Sequence, residues 1–143
     1  MVGGSYNNIT GNANRDFIGG GRYNGLTGTY SFIGGGSYNN ANGVNSAIIG
    51  GSGNLITALS NQNGIFGGEF NNISQNNFNN KVIVGGYGNQ MQDSPMSIML
   101  GGTQNSINAG DDKGANATIA GKGNTIQSYT EYSTILGGYS NTF

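Results

Sequence analysis

The chain has 143 residues, a formal charge of −1, 8% charged residues, no cysteine and no histidine. Thiolate and imidazole chemistry, disulfide frameworks, the commonest transition-metal ligands and a basic nucleic-acid surface are thereby excluded. Glycine fills 29 positions and asparagine 24, a polarity that would suggest disorder if low charge and a regular apolar pattern did not oppose it.

From the N-terminus onward the chain reads "VGGSYNNI", "GGGRYNGL", "GGGSYNNA", "IGGSGNLI", "FGGEFNNI", "VGGYGNQM", "LGGTQNSI", "IAGKGNTI" and "LGGYSNTF". Residues 1–143 are thus a single repeat domain of nine copies, and self-similarity of this kind outranks any single motif. Each copy carries one unsubstituted asparagine: Asn7, Asn24, Asn39, Asn54, Asn71, Asn89, Asn105, Asn124 and Asn141, spaced 15 to 19 residues apart. Six places before it stand Met1, Ile18, Ile33, Ile48, Ile65, Ile83, Met99 and Ile135. The eighth copy is out of step, because Ile119 precedes Asn124 by only five. Two places after it stand Ile9, Leu26, Ala41, Ile56, Ile73, Met91, Ile107, Ile126 and Phe143. The unit is I-x-G-G-x-x-N-x-I, and connecting arcs of variable length separate the copies.

Two glycines per copy oppose helix, at about 1 kcal/mol each against alanine. The runs "YSFI", "SAII", "KVIV" and "STIL" before Gly-Gly read as strands entering a tight turn, and "NLIT" or "NNIS" as a second short strand. The expected fold is all-β: a parallel β-solenoid, or β-roll, of about nine rungs with two short strands each. At the strand spacing of about 4.8 Å it forms a rod roughly 40 Å long. Both apolar columns point inward, Gly-Gly supplies the corner, and the asparagines stack as an amide ladder. Recurrence at one corner of every copy marks Gly-Gly as geometry; a phosphate loop occurs once, between strand and helix, with a lysine.

Five places before the asparagine runs a second apolar column, Val2, Ile49, Phe66, Val84, Leu100, Ile119 and Leu136, interrupted by Gly19 and Gly34. Neighbouring strand residues face opposite sides, so this column points outward, together with Phe17, Phe32, Val82 and Ile98. A stripe of that size predicts burial between chains, unless the coil is wide enough to enclose both columns.

The full pattern Ser-x-Ile-x-Gly-Gly-x-x-Asn-x-Ile, at Ser46 to Ile56 and, with Phe last, at Ser133 to Phe143, resembles the head repeats of YadA-like trimeric autotransporter adhesins. It is also similar to repeats of many phage tail-fibre and receptor-binding proteins. The resemblance covers essentially the whole chain. It implies a left-handed roll, three chains side by side, and attachment at a cell or virion surface. The insertions depart from the tighter adhesin repeat, and neither heptad stalk nor anchor barrel is present, so a tail-fibre segment or separately assembled fibre subunit fits better.

The carboxylates Asp16, Glu69, Asp93, Asp111, Asp112 and Glu131 include one adjacent pair, Asp111 and Asp112, beside Lys113 in a loop-like insertion. A weak cation site there is the only metal candidate. Calcium β-rolls require an aspartate in each unit and ice-binding solenoids a full threonine column; neither is present. No catalytic residue, cofactor or membrane insertion is expected. Tyr6, Tyr23, Tyr38 and Phe70 immediately before the asparagine, and Tyr87 and Tyr139 one place earlier, sit at the corner where rings meet solvent. They are the candidate contact for a cell-surface glycan or receptor, against the simpler reading that they cover the turn. The expectation is a non-enzymatic extracellular or virion fibre module. Its alternative is a filament subunit stacking head to tail through the uncapped ends "VGGSYNNI" and "LGGYSNTF".

Overall fold

A computed structural model describes the chain except residues 1–2, 12–13, 58–59, 75–79, 111–114, 119, 128–129 and 131. It is an all-β, helix-free solenoid: sixteen strands of two or three residues among the described residues form two eight-stranded parallel sheets. One sheet, from Phe17–Ile18 to Thr134–Ile135, lies before each glycine pair; the other, from Asn8–Ile9 to Thr125–Ile126, follows each asparagine. Every pairing joins one copy to the next in the register of the repeat, for example Ile33↔Ile48 and Ala41↔Ile56. A third line of single bridges climbs the corner from Ser5 through Arg22, Ser37 and Ser52 to Tyr139.

The same four-residue device recurs along both sheets of the coil. A residue in the left-handed region is followed by an inward polar residue, an outward residue and an inward apolar one, as in Asn45-Ser46-Ala47-Ile48 and Gly53-Asn54-Leu55-Ile56. Alternation along a two-residue strand places the apolar member inside. The two inward columns form one continuous core, with Ile18, Ile33, Ile48, Ile65, Ile83 and Met99 fully buried on one side and Leu26, Ile56, Ile73, Met91, Ile107 and Ile126 on the other. At about 25 cal/mol per Å² of apolar area removed from water, this seam is the main stabilising term. Ile9 is partly buried against it. Phe143, expected inward, is instead exposed. Met1 is outside the described residues.

The asparagine column ties the turns together. Asn54 is fully buried: its Oδ1 accepts the Asn71 N–H at 3.1 Å, and its Nδ2 donates to Gly50 O at 3.1 Å and Gly68 O at 2.9 Å. The same arrangement recurs from Asn7 to Asn124, so one amide satisfies a donor and an acceptor of the tight corner and adds a second bond to a carbonyl of the next turn, such as Gly68 O, which also accepts the Ser52 N–H. A second polar ladder runs eight places before the first. There Asp16, Ser31, Ser46, Asn63, Ser97 and Asn116 each accept, through a side-chain oxygen, the backbone N–H of the residue stacked on them.

In the eighth copy the pairing Met99↔Thr118 places Thr118 in the inward column. Its side chain is fully buried and its Oγ1 has no hydrogen-bond partner. Thr118→Val keeps the shape and removes the unpaired hydroxyl, so it should stabilise the fold by about 1 kcal/mol, read as a rise in the urea midpoint.

Candidate functional site

The aromatic corner is built on backbone geometry that composition did not reveal. The residue before each ladder asparagine has positive φ throughout, from 54° at Phe70 to 66° at Gly123, with Tyr6, Tyr23 and Tyr38 at 56°, 56° and 57°. Glycine adopts this region freely, which suits Gly53, Gly88 and Gly123; for a bulky L residue it is strained. The left-handed bend swings the side chain away from the coil, so Tyr6, Tyr23, Tyr38 and Phe70 are exposed; Tyr87 and Tyr139, one place earlier on the line of bridges, are exposed as well.

They form a ridge. Tyr6 stacks on Tyr23 at 4.8 Å between centroids and 8° between planes, and Tyr23 on Tyr38 at 5.0 Å and 15°. Phe70 extends over Gly53, where a Cβ would fall 2.7 Å from its ring, and meets Tyr87 edge-on at 5.8 Å. Tyr139 stands apart at the far end, with Lys122 5.9 Å from its ring centroid. Arg22 lies over Tyr23 and Tyr38, at 5.3 and 5.9 Å from their centroids. On the second left-handed corner Arg15 lies 5.6 Å from the Tyr30 centroid. The three exposed cations among the described residues therefore each face a tyrosine ring, an arrangement that holds charge and ring together at the surface.

The outward apolar column is open to solvent on the single chain. Phe17, Phe32, Ile49, Phe66, Val84, Ile98, Leu100 and Leu136 are exposed, from 37% at Phe32 to 73% at Leu136, and Val82 is half-buried. The coil does not enclose this column: the inward positions are filled by the two apolar seams and the two polar ladders. Phe17 and Phe32 stack at 5.6 Å. Gly19 and Gly34 interrupt the column because each strand there lies close to the next turn; a Cβ on Gly19 would run into Gly34 O. Val2 and Ile119 lie outside the described residues. The outer side of the other sheet is mostly polar, carrying Asn8, Asn40, Asn72, Gln90, Ser106 and Thr125, with Gly25 and the half-buried Leu55 in the same column. The two flat sides of the roll thus differ sharply in character.

Asp111, Asp112, Lys113 and Glu131 also lie outside the described residues, so the candidate cation loop does too. Among the described residues no three acidic side chains gather, and no helix is long and apolar enough to cross a membrane.

One buried site was missed by sequence reasoning. Lys81 occupies the second polar ladder and is fully buried; its backbone N–H donates to Asn63 Oδ1 at 2.8 Å, and its Nζ donates to Ser74 O at 3.5 Å. An ammonium has no lone pair, so it cannot accept the N–H of Ser97 and the side-chain ladder is interrupted. Burial pushes its pKa from 10.5 down to about 8, while Asp93 nearby opposes the shift. The available signal was a lysine in a column of serine, asparagine and aspartate. Between pH 8 and 10.5 the unfolded chain holds a proton that the folded chain has released, so stability should rise with pH across that window. Below about 8 both states are protonated and the penalty is fully present. Thermal melts from pH 7 to 9.5 should show this rise, and Lys81→Ser, which restores a ladder acceptor, should remove it.

No protein-family model matches the chain, and no curated protein matches it either. Functional reasoning therefore rests on these surfaces.

Proposed function

We propose that this chain is a non-enzymatic attachment module of an extracellular or virion fibre, in which copies pack side by side, three being favoured, and present the tyrosine corner to a host or cell surface. The observation that carries this reading is the exposed apolar stripe along one flat side, from Phe17 and Phe32 through Ile49, Phe66, Val84, Ile98 and Leu100 to Leu136, with Phe66 57% exposed among its members. Monomeric soluble proteins seldom leave so long an apolar patch in water, whereas fibre subunits bury such a face against one another. The polar opposite side and the exposed aromatic corner suit the outside of that assembly. The repeat's resemblance to adhesin heads and tail-fibre segments points the same way.

Solution mass measured by light scattering over a dilution series tests the packing. A fixed trimer is the expected result, with Phe66→Asp plus Leu100→Asp converting it to monomer. Length-heterogeneous rods would favour end-to-end filament growth instead, and a wild-type monomer at all concentrations would exclude both assemblies. Attachment is checked separately on immobilised cell-surface glycans, where the signal should be lost with the tyrosine corner.

A further inference from the structure

Building on the attachment reading, we propose that the Tyr6–Tyr23–Tyr38 ridge with Arg22 binds a linear acidic polysaccharide lying along the axis of the roll, with successive sugars meeting successive turns. The backbone supplies the first ground. Glycine serves the same left-handed place at Gly53, Gly88 and Gly123, yet three consecutive turns carry tyrosine there at φ of 56°, 56° and 57°. Strain retained where a strain-free residue is available marks a surface kept for contact.

The second ground is spacing. The rings repeat every 4.8 to 5.0 Å along a line, nearly parallel. Tyr23 is covered on both faces by its neighbours, so the middle of the row offers hydroxyls and ring edges, not one broad face for a single terminal sugar. Beside it runs the parallel line Ser5, Arg22, Ser37 and Ser52, with Ser37 and Ser52 Oγ 3.3 Å apart. A ligand that engages both lines must itself repeat on the scale of one turn and carry hydroxyls at each step. An extended glycan chain, whose pyranose units recur on a similar length, meets that requirement.

Charge supplies the third. Arg22 sits within the ridge, held over two rings, and no carboxylate pairs with it among the described residues. A fixed guanidinium presents paired N–H donors to a carboxylate in a fork geometry. With one such cation in the ridge and a formal charge of −1 on the chain, the fit is to a hydroxyl-rich polymer bearing carboxylates, not to a nucleic acid that needs many phosphate contacts.

The test uses the full chain, which has no tryptophan, so its fluorescence comes from eight tyrosines, and the part of the signal that Tyr23→Gly removes reports the ridge. Octagalacturonate, its methyl-esterified and hence neutral form, and oligothymidylate are titrated separately. Binding of the acidic oligomer is expected, weaker by about tenfold for the methyl ester or for Arg22→Gln, the loss of one charge-assisted contact. Tyr23→Gly should abolish binding while the chain still folds and keeps its assembly state, since glycine occupies that place in three other turns. Equal affinity for acid and methyl ester would overturn the acidic assignment yet leave glycan attachment standing. Absence of binding to the acidic oligomer, tighter binding of oligothymidylate, or an unaffected Arg22→Gln would overturn the proposal, whatever the solution mass says of the fibre.

Discussion

Asn54→Asp should destabilise the fold by about 4 kcal/mol, as read from the urea midpoint at neutral pH. The native amide is fully buried and donates to Gly50 O and Gly68 O, and also to Asn39 Oδ1 at 3.1 Å. A carboxylate in its place offers no proton and sets a negative charge against two carbonyl oxygens. The acceptor half of the contact, to the Asn71 N–H, survives the exchange, so the loss comes from the donor half and from desolvation. Lowering the pH protonates the carboxyl and returns one donor, so the deficit should shrink in acid. At the last turn Asn141 is exposed, and Asn141→Asp should cost under about 1 kcal/mol. Equal losses at the two sites would mean that the buried ladder does not hold the turns together.

Gly51→Ala should cost about 3 kcal/mol or more, while Gly50→Ala, one residue away, should be neutral or stabilising by about 0.5 kcal/mol. Gly51 has φ of 91°, and a Cβ there would meet Gly68 O and lie 2.7 Å from Asn54 Nδ2. The strain falls on the contact between turns and on the ladder amide at once. Gly50 has no atom within 4 Å of the added carbon and no positive φ. The two members of the glycine pair therefore have different duties, and the eighth copy agrees, with Ala120 in the first place and Gly121 in the second. Differential scanning calorimetry of both variants checks the contrast.

The chain's own spacing was informative where one physical requirement recurs at one position. Stacked turns bring the same position of each copy into contact, so Ile48 over Ile33 and Asn54 over Asn39 follow from alignment alone. Outward direction of Phe66, Val84 and Leu100 was equally legible from alternation beside the inward isoleucines. The second polar ladder was harder to see because Asp16, Ser31, Asn63 and Asn116 share a function, acceptance of one N–H, without sharing a residue type. Runs such as "KVIV" suggested longer strands than the pair Val82–Ile83 that forms, since the left-handed residues Asn80 and Gly85 on either side leave room for little more.

By itself the sequence determined the solenoid, its register, its apolar interior and the side on which a spare apolar stripe lies. These depend on period and alternation, which are properties of residue order. Only the tertiary structure decided the sign of φ beneath Tyr23 and Tyr38, the stacking of their rings with Arg22, the entry of Thr118 into the core and the burial of Lys81. Each of those depends on what the neighbouring turn places alongside, and residues 15 to 19 apart become neighbours only when the coil has closed.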